Sequence, residues 1–159
     1  MRKLHALSIV EVLVYFALFG IIFLAIINFM ISVLNNNEIA EQRVDLQKNS
    51  IFVMNHLNSN FDLTNSIDET NSIFDNNNGK IVLNLASGQV QYYLVNGVMH
   101  YIQGGNDNVL TDIDFTVTKF NITKVLNSKN ELVGTRFDIT FKSGKSSDSF
   151  NLQTSMLFK

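Results

Sequence analysis

The feature that most constrains this chain is an apolar run near its N-terminus. Residues 12–34 contain no side chain with a formal charge. A helix of about 20 apolar residues crosses the hydrocarbon core of a bilayer, so this run is long enough to span a membrane. Arg2 and Lys3 precede the run, whereas Glu38 and Glu41 follow it. Because basic residues favour the cytoplasmic side, this order predicts a single-pass protein with a cytoplasmic N-terminus and an external C-terminal domain.

Two common interpretations leave part of this run unexplained. A secretory signal peptide has a shorter apolar region, of roughly 7–15 residues, followed by a small-residue cleavage site. The sequence Asn35-Asn36-Asn37, which follows the run, is not such a site. A plain signal anchor explains the length and the orientation, but it does not explain Glu11. An ionisable side chain costs about 3 kcal/mol at the bilayer centre and less near the interface, and it usually has a partner or a function.

The first residues carry a more specific pattern. Arg2 and Lys3 form a short basic leader, and Ala6 takes the position of a small residue. An apolar helix start follows, in which Glu11 is the fifth residue after Ala6. In this pattern the chain resembles the type IV pilins and their pseudopilin relatives. The resemblance implies that a prepilin peptidase cuts between Ala6 and Leu7, methylates the new amine of Leu7, and leaves the apolar segment on the mature protein.

Four positions depart from or extend this pattern. The family usually has glycine where Ala6 stands and phenylalanine where Leu7 stands, and both replacements keep the size class of the cleavage site that ends the leader, residues 1–6. Gly20 falls where relatives commonly carry a helix-packing glycine. Asn28 falls where many pilus-forming members carry proline, and this chain contains no proline. The helix therefore lacks the usual kink device, which favours a minor subunit over a major one.

The resemblance also gives Glu11 a partner. Removal of the leader leaves a positive amine on Leu7, and Glu11 of an incoming subunit would meet that amine on the subunit already assembled. Opposite charges attract more strongly in a low-dielectric helix bundle than in water, and an unpaired charge there is costly. The pair would therefore select the correct stagger. Two local alternatives are that Glu11 snorkels to the interface or pairs with its own amine.

The remainder of the chain predicts a helix that continues into a β-rich head. Apolar residues at helical spacing form one stripe: Ile39, Leu46, Val53, Leu57 and Phe61. The prediction is a membrane-spanning segment over 7–34 and an amphipathic continuation over 35–61, with an unrelated linker as the alternative. Residues 62–159 form the head, beginning with a loop over 62–79 and continuing into about six strands. The fold class is therefore α+β, with the amphipathic half of the helix packed on an antiparallel sheet.

Parts of the head extend the resemblance less specifically. Asn96-Gly97 is a strong signal for a two-residue hairpin. Residues 112–118 alternate between apolar and polar and predict a half-buried strand. The hairpin, residues 110–115 and the terminal residues 150–159 are similar to the corresponding elements of minor pseudopilins, particularly the J type.

The sequence of the head shows no pattern typical of a catalytic, metal-binding or nucleic-acid-binding site. The absence of cysteine excludes disulfides, thiol nucleophiles and cysteine-ligated metals. With 12 basic and 14 acidic residues, direct nucleic-acid binding is disfavoured. His5, His56 and His100 show no metal-ligand spacing and are interpreted as surface or structural residues. Residues 106–108 invite a calcium interpretation, but a solvated loop fits better because the EF-hand pattern is missing. No catalytic, metal-binding or cofactor-binding residues are predicted, and the protein is expected not to be an enzyme.

Together these features predict a minor, pilin-like structural subunit of a type IV pilus, a type II secretion pseudopilus or a DNA-uptake filament. The implied partners are other pilin-like subunits, a prepilin peptidase, a platform membrane protein and an assembly ATPase. The alternative is a membrane-anchored extracytoplasmic binding module that does not polymerise.

Overall fold

The computed structural model describes residues 9–144 and 148–157. Within these residues the chain forms one helix and eight strands. In chain order they are α1 (Ile9–Asp62), β1 (Thr64–Ile67), β2 (Lys80–Leu85), β3 (Gly88–Val95), β4 (Val98–Gln103), β5 (Asn106–Val109), β6 (Phe115–Leu126), β7 (Leu132–Ser143) and β8 (Ser149–Leu157). The chain is therefore α+β, as predicted. It divides into two compact units, the first ending at Glu41 and the second beginning at Gln42.

The long N-terminal helix is confirmed. Residues 35–37 are helical, although the sequence allowed a linker there. The helix ends where the carbonyl oxygen of Asn60 accepts hydrogen bonds from the backbone N–H of Leu63, at 3.3 Å, and the hydroxyl of Thr64, at 2.9 Å. These bonds satisfy a carbonyl of the last turn, which would otherwise lack a partner.

The amphipathic stripe is confirmed in the second compact unit. Four of its members, Leu46, Val53, Leu57 and Phe61, are buried. They join one hydrophobic core with residues of both sheets, and burying side chains of this size contributes about 1.5–3 kcal/mol each. Ile39, the fifth member of the stripe, lies in the first unit and is 41% exposed.

The head contains two antiparallel sheets, whereas the sequence predicted one. The first has the order β1-β2-β3-β4-β5, and the second has the order β6-β7-β8. The division arises at β6, whose outer edge bonds to a turn and a loop of the first sheet. The N–H of Val117 donates to the carbonyl of Gly97, and the N–H of Phe120 donates to the carbonyl of Asn77, both at 2.7 Å. Because these groups occupy the edge, the sheet does not continue across it.

The hairpin at Asn96-Gly97 is confirmed, since β3 and β4 flank it and both residues have positive φ, 51° and 80°. The strand predicted over 112–118 begins only at Phe115. Ile113 is 94% exposed and lies in a turn, where the carboxylate of Asp112 accepts the Ile113 N–H at 2.6 Å. That local bond competes with strand pairing.

Two strands form where the sequence indicated loops. One is β1, which lies inside the connection predicted over 62–79, and the other is β5, which contains the residues considered for calcium. Each has four residues and pairs along one side only. Neither shows the apolar alternation that predicts a strand, because β1 reads Thr-Asn-Ser-Ile and β5 reads Asn-Asp-Asn-Val.

Candidate assembly segment and polar clusters of the head

The part of α1 that belongs to the first compact unit exposes apolar side chains all around the helix. Its most apolar stretch has a mean hydropathy of 2.7, and none of that stretch is buried. From Ile9, 81% exposed, to Ile27, 37% exposed, the large apolar side chains find no cover within the described residues. Soluble monomers rarely expose contiguous apolar patches larger than about 600 Å². The segment is long and apolar enough to cross a membrane.

Glu11 lies in the first turn of the described helix, and its side chain is exposed. It is the one residue with a formal charge in the stretch 9–34. An acidic side chain at this end is favoured by the helix dipole, because the first backbone N–H groups carry partial positive charge. The structure therefore places an acid in the first described turn of an exposed apolar helix. Ala6 and Leu7, the other two residues of the predicted processing and pairing site, lie outside the described residues.

Gly20 lies within the same exposed helix. A Cβ atom built at this position would meet no atom within 4 Å. The fold of this chain therefore does not require glycine there, and the predicted helix-packing role would have to come from contact with another helix. The aromatic residues around it are exposed as well, with Phe19 stacked on Phe23 one turn later at 6.2 Å between ring centroids.

The head contains a hydrogen-bonded cluster that joins α1 to β3. The hydroxyl oxygen of Tyr92 lies 2.8 Å from Nδ1 of His56 and accepts from Nδ2 of Asn60 at 2.7 Å. The same hydroxyl lies 3.2 Å from the carbonyl oxygen of His56. The ring of Tyr101 covers the imidazole, with 4.5 Å between centroids. The cluster fixes one face of α1 against the first sheet.

Burial perturbs both titratable groups of this cluster. Desolvation lowers the pKa of His56 and, opposed by the hydrogen bond from Asn60, raises the pKa of Tyr92. A neutral imidazole can accept a hydrogen bond from the Tyr92 hydroxyl at Nδ1. When the ring is protonated, Nδ1–H instead donates to that oxygen, and the hydroxyl can turn toward the carbonyl oxygen of His56. The cluster thus has a hydrogen-bond arrangement for each charge state, which suits a structural role.

A second cluster lies across β3, β4 and β5. Asp107 accepts from the hydroxyl of Tyr93 at 2.8 Å and lies 3.1 Å from Nδ1 of His100. The hydrogen bond from Tyr93 lowers the pKa of Asp107, with a smaller contribution from His100. Asp107 is therefore engaged by neighbouring strands, whereas the sequence placed it in a solvated loop. Within residues 9–144 and 148–157, no group of three His, Asp or Glu side chains is positioned to hold a metal ion.

Comparison with known proteins adds no assignment, since no family model, curated protein or solved structure matches the chain. The class that the fold and the segment define is an α+β protein whose N-terminal helix could cross a membrane.

The sequence did not indicate either of the two polar clusters. His56 and Tyr92 are 36 positions apart, and no local pattern signals that pairing.

Proposed function

We propose that this protein is a minor, pilin-like structural subunit that is stored in the cytoplasmic membrane and assembled into a filament or pseudopilus through its N-terminal helix. The observation that supports this function is the exposed apolar helix with a single acid, Glu11, in its first described turn. A lipid anchor needs the apolar surface, whereas an ionisable side chain within that surface has a desolvation cost unless it finds a partner. A bundle of staggered helices can use both.

The mechanism has two stages. A prepilin peptidase cleaves between Ala6 and Leu7 on the cytoplasmic side and methylates the Leu7 amine. A platform membrane protein and an assembly ATPase then move the subunit out of the bilayer, so that Glu11 pairs with the Leu7 amine of the preceding pilin-like subunit. In a medium of low dielectric this attraction is several times its value in water, and an unpaired partner carries a desolvation cost. The pair thereby favours one axial offset between neighbouring helices.

A minor position fits the chain better than the bulk of a pilus. The helix lacks proline and contains Asn28 at the family's proline position. The filament could belong to a secretion pseudopilus, a type IV pilus or a DNA-uptake apparatus, which share this N-terminal mechanism.

Mass spectrometry of the mature protein from its own membrane tests the proposal. The expected chain begins at Leu7 and carries one added methyl group on its amine. A chain that retains Met1 would instead support a membrane-anchored binding module that does not polymerise. A chain that begins after residue 34 would show that the apolar segment is a removed signal peptide. Deletion of the peptidase gene is the control, and it should leave residues 1–6 in place.

A further inference from the structure

The sheet edges of the head are protected very differently. The edges formed by β1 and β5 have four residues each, and β1 pairs with an irregular register. The outer edge of β6 is occupied, because its N–H groups donate to the carbonyl oxygens of Gly97 and Asn77. Short strands, irregular register and covering loops are the usual devices that prevent unwanted strand pairing. Three edges of the head therefore carry protection.

In the part of the chain that the structure describes, the edge formed by β8 carries none of these devices. It has nine residues, pairs with β7 in an unbroken register, and has no further strand beside it among the described residues. Its sequence, Ser-Phe-Asn-Leu-Gln-Thr-Ser-Met-Leu, contains no charge, no proline and no glycine. A long, regular, uncharged edge presents unpaired backbone groups that can accept another strand.

A cavity lies beside the first residues of this edge. Its volume is about 260 Å³, and its lining residues are Arg43, Leu46, Gln47, Asp148, Ser149 and Phe150. These residues come from α1 and from the start of β8, and none comes from β7. The cavity therefore lies between α1 and the first residues of β8. Because side chains alternate between the two faces of a sheet, a strand added at this edge would direct every second side chain to the face on which Phe150 lines the cavity.

We propose that the β8 edge is a docking site for an extended, uncharged segment of a different polypeptide, which adds as a fourth strand and places an apolar side chain in this cavity. The two charged residues of the lining pair with each other, because Nε of Arg43 lies 2.9 Å from Oδ2 of Asp148. The same lining includes the apolar side chains of Leu46 and Phe150. An apolar side chain fits this lining, whereas a charged one would lose its hydration without gaining a free partner.

A second copy of β8 is a poorer occupant. The inward side chains of β8, Phe150, Leu152 and Met156, already pack in or against the core of their own chain. Paired edge to edge, two copies would bring no free apolar side chain to either cavity. The segment that docks should therefore come from another protein. This proposal uses only residues of the second compact unit and does not depend on the assembly role of the N-terminal helix.

Binding of designed peptides to the full-length protein in lipid nanodiscs tests the backbone pairing. The probe is a capped nonapeptide that alternates threonine with valine and has phenylalanine as its eighth residue. In one version the amide nitrogens of the threonines are methylated, in a second those of the other residues, and in a third all of them. Since alternate N–H groups face opposite edges, each of the first two versions keeps one edge competent.

We expect one of the two singly blocked peptides to bind and the fully methylated peptide not to bind. At about ten times its Kd, the bound peptide should slow hydrogen exchange of outward-facing β8 amides about tenfold, with β1 and β5 unchanged. Replacing the phenylalanine of the peptide by glutamate should weaken binding. Equal binding of all three versions, or protection that spares β8, would overturn the proposal.

Photo-crosslinking in the native membrane identifies the type of occupant. A benzoylphenylalanine residue replaces Gln153 at the exposed edge of β8, and the same replacement of Asn106 on β5 is the matched control. We expect an adduct from position 153 that the edge-competent peptide displaces, and none from position 106. An adduct with twice the mass of the chain would show a second copy as the occupant. Either that result or an adduct that the peptide does not displace contradicts the proposal.

Discussion

Nδ1 of His56 lies 2.8 Å from the hydroxyl oxygen of Tyr92, and this contact joins the long helix to the middle strand of the five-stranded sheet. The same oxygen accepts a hydrogen bond from Asn60, one helical turn beyond His56. One phenol on β3 therefore bonds to two polar side chains of α1, of which the Asn60 amide also donates to the carbonyl oxygen of His56 at 3.1 Å. Burial alone does not specify this contact, because it also requires the helix to have the correct rotation and axial position.

Tyr92→Phe should destabilise the head by about 1–3 kcal/mol, because it removes the side-chain partner of the His56 ring and one of the two acceptors of the Asn60 amide in a part-buried site. The matched control is Tyr93→Phe, which removes a hydroxyl whose bond to Asp107 is exposed, and which should cost less than about 1 kcal/mol. Urea unfolding of the full chain in micelles, followed by near-ultraviolet circular dichroism of tyrosine, measures both. Equal losses for the two variants would show that the Tyr92 cluster contributes no special stability.

Stability should also depend on the charge of His56. Desolvation lowers its pKa in the folded protein below the value of about 6.5 in the unfolded chain. As pH falls through 6.5, the unfolded chain takes up the proton first, so the free energy of unfolding decreases until the folded ring is protonated as well. Urea midpoints between pH 8 and pH 5 should therefore decrease less for His56→Gln than for the wild type. An identical slope in the variant would assign the pH dependence to other groups.

The parts of the fold that were predictable from sequence are those encoded locally. The apolar run specifies the long helix, and the spacing of Leu46, Val53 and Leu57 specifies which face of it is buried. The division into two sheets was not predictable, because it depends on Gly97 bonding to a strand 20 positions later in the sequence. Ile113 was misplaced for a related reason, since a local turn at Asp112 competes with the alternating pattern.

Gly97 links the hairpin turn to that second sheet, and Gly97→Ala should cost about 1–3 kcal/mol. Its φ is +80°, its carbonyl accepts the Val117 N–H, and an added Cβ would lie 2.5 Å from Cγ2 of Thr116. Gly104→Ala is the control, because φ is +60° there but nothing lies within 4 Å of the new Cβ. The difference between the two unfolding free energies isolates the steric contact. If the control is equally destabilised, backbone strain accounts for the whole effect.

As with the fold, only the locally encoded part of the candidate sites could be predicted from the sequence. Glu11 could be singled out from sequence because a lone acid in an apolar run is conspicuous without any knowledge of tertiary structure. The edge of β8 could not, since an alternating strand reads the same whether one or both of its sides are paired. The protection of the β6 edge likewise became apparent only from its backbone bonds to a turn and a loop.

The assembly proposal makes its sharpest prediction at Glu11. Glu11→Ala should lower incorporation into filaments at least about tenfold, which corresponds to about 1.4 kcal/mol, while the amount of protein in the membrane stays unchanged. The reason is that the incoming subunit can no longer neutralise the Leu7 amine of the subunit ahead of it. Glu11→Gln should behave the same way, because it preserves size and polarity but removes the charge. Immunoblots of sheared filaments and of the membrane fraction provide the two quantities.

Glu41→Ala is the matched control, since it removes one acid from the same compact unit beyond the apolar run. This variant should assemble normally. Mass spectrometry of each variant should still show a methylated chain that begins at Leu7, so that a processing defect is distinguished from an assembly defect. If Glu11→Ala is processed and assembled like the wild type, then the acid does not pair with the amine of a neighbour. If Glu41→Ala fails to the same degree, the requirement is for negative charge in general and not for a pair at one position.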